Sequence, residues 1–289
     1  MGNFNEPESD EVCSEPLRAN SALNLRKTIA FIFRSTWYMP LLLLYSFLVR
    51  IALAFLPAPI MDAYQSDRLL PLSLILSEAI LFLPPVAFYL LVSRRKPSQI
   101  LKLKKLSLRN AGLIALMSVL LMPLGMAVSG ITSMFWPNAA EEVLSPMSSS
   151  PIWISLLSVA AAPAFFEEIS FRGALLDQSN GFGITASSLI SGLFFGIMHM
   201  NPQQLPYTVI MGFAFALFVH RTGSLLSSML AHFLFNSISL FLSQSIVDGI
   251  SDAAVQSASP QDLIVIGGMA ALFLALFFPI YRVFKRLNS

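Results

Sequence analysis

The sequence predicts an all-α fold: a polytopic membrane protein with about eight transmembrane helices surrounding a polar intramembrane cavity. Three observations predict it. Of the 289 residues, 55% are hydrophobic and 12% are charged. The mean hydropathy is +0.70, and the apolar residues form long uninterrupted runs separated by short polar breaks. Membrane-spanning barrel strands alternate in polarity over about ten residues, so continuous runs favour helices.

A helix needs about 20 mostly apolar residues to cross a hydrocarbon layer of roughly 30 Å. Eight runs of about this length follow one another along the chain. They cover residues 35–57, 69–93, 109–136, 151–176, 182–200, 204–221, 224–246 and 263–284. The preceding residues, 1–34, begin with an acidic stretch and lack the basic start of a cleavable signal peptide. We expect a partly disordered cytoplasmic tail there, and one transmembrane domain over 35–289.

The distribution of lysine and arginine predicts the orientation, because these residues accumulate in cytoplasmic loops. The break at 94–109 between the second and third spans is strongly basic, and further basic residues precede the first span and close the chain. The breaks at 137–150, 201–203 and 247–262 contain no lysine or arginine. Both termini are therefore predicted to be cytoplasmic, in the plasma (inner) membrane if the host is a bacterium.

Charge and cysteine content exclude several other classes of protein. The net charge of +2 is the cytoplasmic excess of a membrane protein, and the 94–109 segment is expected to contact anionic lipid headgroups of the bilayer. No nucleic-acid partner is predicted. The single cysteine, Cys13, excludes an intramolecular disulfide framework, a CxxC zinc site and a two-cysteine redox centre. The sequence predicts no particular oligomeric state.

Ionisable side chains within the spans are the candidates for function, because each costs about 2.5 to 3.5 kcal/mol on insertion scales. Arg50 and Glu78 lie in neighbouring antiparallel spans, and we expect them to form a structural ion pair. The polar residues of the spans are Arg50, Glu78, Glu167, Glu168, Arg172, His199, His232 and Asn236.

The stretch "FFEEISFRG" at 165–173 contains two adjacent glutamates. Residues i and i+4 share a helix face, whereas adjacent residues point about 100° apart, so Glu168 is predicted to pair with Arg172. Glu167 is left on another face without a local cation. An unpaired carboxylate in a low-dielectric setting is suited to act as a general base.

Two histidines lie on later spans, and each has an aromatic or amide residue four positions away, on the same helix face. Phe195 and His199 are at i and i+4, as are His232 and Asn236. Each polar group in hydrocarbon requires a partner, and one shared cavity with Glu167 would supply partners to all. The core of the predicted site therefore covers about residues 151–246.

The ordered motifs EExxxR, FxxxH and HxxxN resemble the signature of the CPBP or Abi family of intramembrane proteases. This family includes the type II CAAX prenyl endopeptidases and lysostaphin-resistance-protein-A-like bacterial proteins. The resemblance implies an all-helical fold with a water-filled cavity open toward the cytoplasm. It also implies roles for the matching residues: Glu167 and His199 activate a water, His232 and Asn236 hold the oxyanion, and Glu168, Arg172 and Phe195 give structural support.

The predicted function is therefore that of an intramembrane endopeptidase acting on a membrane-associated peptide or protein. Glu167, His199 and His232 could instead bind zinc, although no HExxH motif is present, and metal-independent catalysis without a cofactor is favoured. One alternative function is a non-catalytic membrane protein that binds a peptide such as a bacteriocin and confers immunity. A transporter is a further alternative, but it would need an outer gate for which the sequence offers no candidate.

Straight helices leave one difficulty in this prediction. At about 1.5 Å per residue, Glu167 lies in the inner third of its span, whereas His199 lies about 25 Å from the inner end of the fifth span. We therefore expect either that the polar stretch at 176–183 dips into the cavity or that the fifth span is tilted or broken.

Overall fold

Eight long helices account for most of the residues that the structure describes. The computed structural model describes residues 27–28, 30, 32–66, 68–137, 147, 150–249 and 260–288. The helices are labelled α1 to α8 in chain order. Their bounds are Tyr38–Ala54 (α1), Leu70–Ser93 (α2), Leu108–Ser133 (α3), Ile152–Phe182 (α4), Ile184–Met198 (α5), Leu205–Thr222 (α6), Leu226–Gly249 (α7) and Pro260–Leu287 (α8).

Each predicted span coincides with one of these helices, and the described residues contain no β-strand. Five helices are long and apolar enough to cross a membrane: α2, α3, α4, α6 and, within α8, Gly267–Leu287. The apolar parts of α1, α5 and α7 are shorter. The all-α polytopic membrane fold is thus confirmed. The predicted disordered tail, with Cys13, falls almost entirely outside the described residues.

The basic breaks meet at one end of the helix bundle, which we call the basic end. Arg95, after α2, forms an ion pair of 2.7 Å with Asp177 near the end of α4. The backbone N–H of Leu225, between α6 and α7, donates to the carbonyl of Lys102 at 3.1 Å. The breaks that follow α2, α4 and α6 are therefore neighbours in space, as the charge pattern requires.

Both ends of the described transmembrane region also lie at the basic end. The Tyr38 backbone N–H at the start of α1 donates to Oε1 of Gln178 at 2.9 Å. Asn288, just beyond α8, exchanges side-chain hydrogen bonds with Asn110 at the start of α3. The first helix therefore begins at the basic end, and the last helix ends there.

The opposite end joins the end of α3 to the connection between α5 and α6. The hydroxyl of Thr132 donates to the carbonyl of Gln203 at 2.8 Å. The Gln203 amide in turn donates to the hydroxyls of Ser129 and Ser133. These contacts satisfy polar groups that would otherwise face hydrocarbon.

Helix α4 lies at the centre of the bundle and contacts α1, α2, α5, α6 and α7, while α8 packs along α3 and α5 packs along α6. By contrast, only 11% of the apolar window of α8 is buried, as expected of a helix that faces lipid. The central position of α4 explains how its charged side chains can be shielded from the hydrocarbon.

Candidate active site

The two glutamates of α4 have different environments, as the helical spacing predicts. Glu168 and Arg172 are fully buried and form an ion pair of 2.9 Å between Oε1 and an η nitrogen, so their predicted pairing is confirmed. The other η nitrogen of Arg172 donates to the carbonyl of Gly212 at 3.0 Å. Its guanidinium lies 4.4 Å from the centre of the Phe195 ring. These contacts offset the cost of burying a charge that is removed from water.

His232, on α7, extends this ion pair toward the second glutamate. Its Nδ1 lies 2.9 Å from Oε1 of Glu168. A carboxylate paired with arginine accepts hydrogen bonds, so Nδ1 is the donor. The ring stacks on Phe215 with centroids 5.6 Å apart. This arrangement directs Nε2 of His232 to within 3.9 Å of Oε2 of Glu167.

Glu167 is buried, and its Oε2 has no hydrogen-bond partner among the described residues. The side chain lines a cavity of about 130 Å³, which it shares with His199. A water molecule needs a polar site with about 10 to 15 Å³ of such volume, so the cavity has room for water beside the carboxylate. Glu167 is thus the polar group on α4 that faces open space.

His199 immediately follows the last residue of α5, at the end of the bundle opposite the basic end. Its Nδ1 lies 2.8 Å from the carbonyl of Phe195. A carbonyl can only accept, so Nδ1 carries the hydrogen and the neutral ring has a free electron pair on Nε2. Phe195 is in ring contact with both His199 and His232, and it therefore holds the two imidazoles around one aromatic side chain.

The expected dip of 176–183 into the cavity is not found. Asp177 and Gln178 make their contacts at the basic end, and no residue of that stretch lines the cavity. His199 does lie far from the basic end, as its position in the sequence indicates. It nevertheless shares a cavity with Glu167, because the cavity extends from the middle of α4 toward the opposite end of the bundle.

Asn236 has a partner on α4 rather than in the cavity. Its Nδ2 donates to the carbonyl of Val159 at 3.1 Å. Val159 lies in a π-helical segment, Leu156–Ala161, and the residue four positions later is Pro163, which has no N–H to donate. The Asn236 amide therefore serves a carbonyl that lacks its usual α-helical donor. Asn236 is not among the residues that line the cavity.

Glu167 lies between two π-helical segments, Leu156–Ala161 and Ile169–Leu175. Such wide turns inside α-helices are frequent at functional sites. The sequence signal for the first is Pro163, which follows a run of small residues and removes one hydrogen bond of the helix. Pro163 lies outside the three motifs that predict the site.

Two further residues line the cavity, although the sequence predicts only a structural ion pair between them. Arg50 of α1 and Glu78 of α2 line the same cavity as Glu167 and His199. The expected direct ion pair between Arg50 and Glu78 is absent from the part of the chain that the structure describes. The signal that could have placed them here is their rarity as ionisable residues within apolar spans.

A catalytic zinc ion would need three protein ligands at about 2.0 to 2.2 Å from one point. No group of three or more His, Cys, Asp or Glu side chains with this potential occurs among the described residues. Glu167, His199 and His232 therefore do not fit a three-ligand zinc site as they are arranged.

Comparison with known proteins identifies the segment that carries this site. Residues 149–238 match the family described as type II CAAX prenyl endopeptidase Rce1-like. The chain is also 29% identical over 133 residues to a Bacillus subtilis (strain 168) protein named "Putative membrane peptidase YdiL". That match covers 45% of this chain and 51% of the relative, so the chain spans about half the length of the curated relative. No solved structure matches the chain significantly.

The matched segment contains all three motifs, and residues of the three motifs are in contact in the structure. Glu168 and Arg172 of the first motif contact Phe195 of the second and His232 of the third. Residues 149–238 of this integral membrane protein are therefore similar to the Rce1-like type II CAAX prenyl endopeptidases, and the chain is similar to a protein named as a putative membrane peptidase.

Proposed function

We propose that the protein is an intramembrane endopeptidase that hydrolyses a peptide bond of a membrane-associated peptide or protein, using a water activated by Glu167 and His199. One observation carries the proposal. The Glu167 carboxylate is buried without a hydrogen-bond partner on Oε2 among the described residues, and it faces a cavity that also contains His199.

The proposed first step is activation of a water molecule in the cavity. Oε2 of Glu167 can accept one hydrogen of this water, and the free electron pair on Nε2 of His199 can accept the other. As the water oxygen attacks the substrate carbonyl, Glu167 takes its proton as a general base. His199 keeps the water oriented, because its own Nδ1 is held by the Phe195 carbonyl.

His232 and Asn236 are proposed to stabilise the tetrahedral oxyanion. In its protonated form, His232 donates from Nδ1 to Glu168, and its Nε2–H faces the Glu167 carboxylate and can donate to the oxyanion. Asn236 has one amide hydrogen engaged by Val159, which leaves the second available as a donor. Each such donor contributes roughly 3 kcal/mol to lowering a barrier of this kind.

No step of this scheme uses a metal ion. The substrate is proposed to approach from within or beside the bilayer, since the reacting groups lie on membrane helices. Prenylated CAAX proteins are substrates implied by the name of the matched family, and a bacterial host without prenylation would require a different peptide.

The Glu167→Gln variant tests the proposed function. It keeps the size and polarity of the side chain but removes the base, so turnover should fall by roughly 10²- to 10⁴-fold. Membrane peptides from cells that contain either the wild-type protein or the variant would be compared by mass spectrometry. Glu141→Gln, a change outside the described residues and outside the motifs, is the matched control and should retain full turnover.

Three outcomes separate the candidate functions. Peptides that appear with wild type and control but not with Glu167→Gln support the endopeptidase. Unchanged peptides together with an intact bacteriocin-protection phenotype in Glu167→Gln would instead support a non-catalytic binding protein. Loss of cleavage after exhaustive chelation, restored by zinc, would contradict the metal-independent scheme.

A further inference from the structure

The cavity beside Glu167 has a second acidic wall that the three motifs do not include. Glu78 of α2 lines it, and its Oε2 is buried without a hydrogen-bond partner among the described residues. Oε2 of Glu167 is likewise buried without a hydrogen-bond partner among the described residues. Two carboxylates from different helices, each with an unsatisfied oxygen, therefore face one volume of about 130 Å³.

Arg50 is the cation of this cavity. It is the exposed residue of the lining, whereas the other lining residues are buried or half-buried. Arg50 interacts electrostatically with Glu78, and Glu78 interacts with Glu167. Arg50 and Glu78 do not form a direct ion pair among the described residues. Each carboxylate therefore keeps one oxygen free to exchange a proton with water or with a bound substrate.

Two carboxylates so placed are suited to hold one proton between them, because ionising both in a small low-dielectric cavity is disfavoured by their mutual repulsion. Peptide hydrolysis can use such a pair. The attacking water must lose a proton, and the leaving nitrogen must gain one before the carbon–nitrogen bond breaks. Glu167 could perform both transfers in turn, but a second carboxyl group on the same cavity would be an acid already in place for the second transfer.

We propose that Glu78 is a second catalytic carboxylate, the acid that protonates the leaving amine. This inference rests on the proposed endopeptidase function and adds a catalytic residue outside the three motifs. It places the reaction between α2 and α4, with Glu167 on one side of the substrate carbonyl and Glu78 on the other.

The proton count closes over one cycle. The two carboxyl groups share one proton, and in the proposed reactive state that proton lies on Glu78 while Glu167 is the carboxylate. Glu167 takes a proton from water while the water oxygen bonds to the carbonyl carbon. The carbon–nitrogen bond then breaks as Glu78 gives its proton to the nitrogen, which releases an amine and a carboxylic acid. A water in the cavity then carries the proton from Glu167 back to Glu78, and the starting state is restored.

The test compares two leaving groups at the same bond. A library of palmitoylated peptides in proteoliposomes first identifies a bond that the wild-type protein cleaves. The chosen peptide is then made with an ordinary amide and with a thioester at that bond. A thiolate leaves without prior protonation, whereas an amine does not, so only the amide requires the acid.

With Glu78→Gln, amide cleavage should fall by roughly 100-fold or more, and thioester cleavage by less than about tenfold. Glu167→Gln should lose both reactions, because both need an activated water. Glu78→Asp, which keeps a carboxylic acid, should recover part of the amide activity, and it serves as the second variant if Glu78→Gln does not fold.

The outcomes distinguish this inference from the proposed function. Equal loss of amide and thioester cleavage in Glu78→Gln, or full amide activity in that variant, would overturn the role of Glu78 while leaving the endopeptidase intact. A wild-type protein that cleaves no peptide in the library or in cells would overturn both.

Discussion

Arg172 shows how a single residue supports the site without reaching its cavity. It is fully buried, and its guanidinium joins α4 to α6 through the Gly212 carbonyl and to Phe195 through the ring face. Its partner Glu168 also holds His232. The position of the His232 imidazole therefore depends on a charge that the substrate never meets.

Replacement of Arg172 by methionine should lower the free energy of unfolding by about 3 to 5 kcal/mol, because it leaves the buried Glu168 carboxylate without its arginine. Thermal unfolding in detergent would measure the loss. Arg95→Met is the matched control: Arg95 is half exposed in its ion pair with Asp177, and removing such a pair should cost less than about 1 kcal/mol. Equal effects in the two variants would contradict the structural role of Arg172.

At the scale of helices, the α5–α6 contact depends on glycine. A Cβ on Gly192 would lie 2.7 Å from the Phe213 nitrogen and the Val209 carbonyl oxygen, and a Cβ on Gly196 would lie 2.5 Å from a Val209 methyl group. Gly192 and Gly196 form a GxxxG pattern, which allows membrane helices to approach closely. This approach brings Phe195 and the Gly212 carbonyl to Arg172.

Gly192→Ala should therefore push α5 away from α6 and destabilise the protein by about 1 to 3 kcal/mol, since the added methyl group meets backbone atoms that cannot rotate aside. Activity should fall as well, because His199 follows α5 directly. Gly112→Ala in α3 is the control, as its Cβ would have no neighbour within 4 Å. Unfolding temperatures and peptide turnover of both variants would be measured, and a Gly192→Ala protein identical to the control would disprove close packing here.

At the scale of the whole molecule, the cavity and the basic end lie on different halves of the bundle. Arg50 is four residues from the end of α1 that is remote from the basic end, or about 6 Å along the axis, and His199 follows the corresponding end of α5. The charge pattern predicts cytoplasmic basic loops, and the family resemblance implies a cavity open toward the cytoplasm, but the two expectations refer to opposite halves of the bundle. If the lysine and arginine distribution sets the orientation, the cavity lies in the outer half of the membrane.

Cysteine labelling tests this orientation. Cys13→Ser removes the only cysteine, and single cysteines are then introduced at the exposed positions Ser98, at the basic end, and Ala58, at the opposite end. A membrane-impermeant maleimide added to intact cells should label Ala58→Cys and spare Ser98→Cys. The reverse pattern would show that the basic end faces outward and would return the cavity to the cytoplasmic side.

The sequence by itself determined the features that depend on local spacing. Hydrophobic run length gave the eight helices to within a few residues for most ends, because a membrane imposes both the length and the polarity of a span. The i,i+4 rule was enough to pair Glu168 with Arg172 and to leave Glu167 unpaired. It could not show that His232 would contact Glu168, since contacts between helices depend on their rotation and tilt.

Only the tertiary structure decided which polar groups share a cavity. Arg50 and Glu78 were expected to neutralise each other, yet they lie on the wall beside Glu167. Asn236, proposed to hold the oxyanion, also donates one amide hydrogen to the Val159 carbonyl, which Pro163 leaves without its α-helical donor. Such outcomes depend on how closely helices approach each other, how they are rotated, and where turns such as those of α4 widen. None of these can be read from the period of an apolar run.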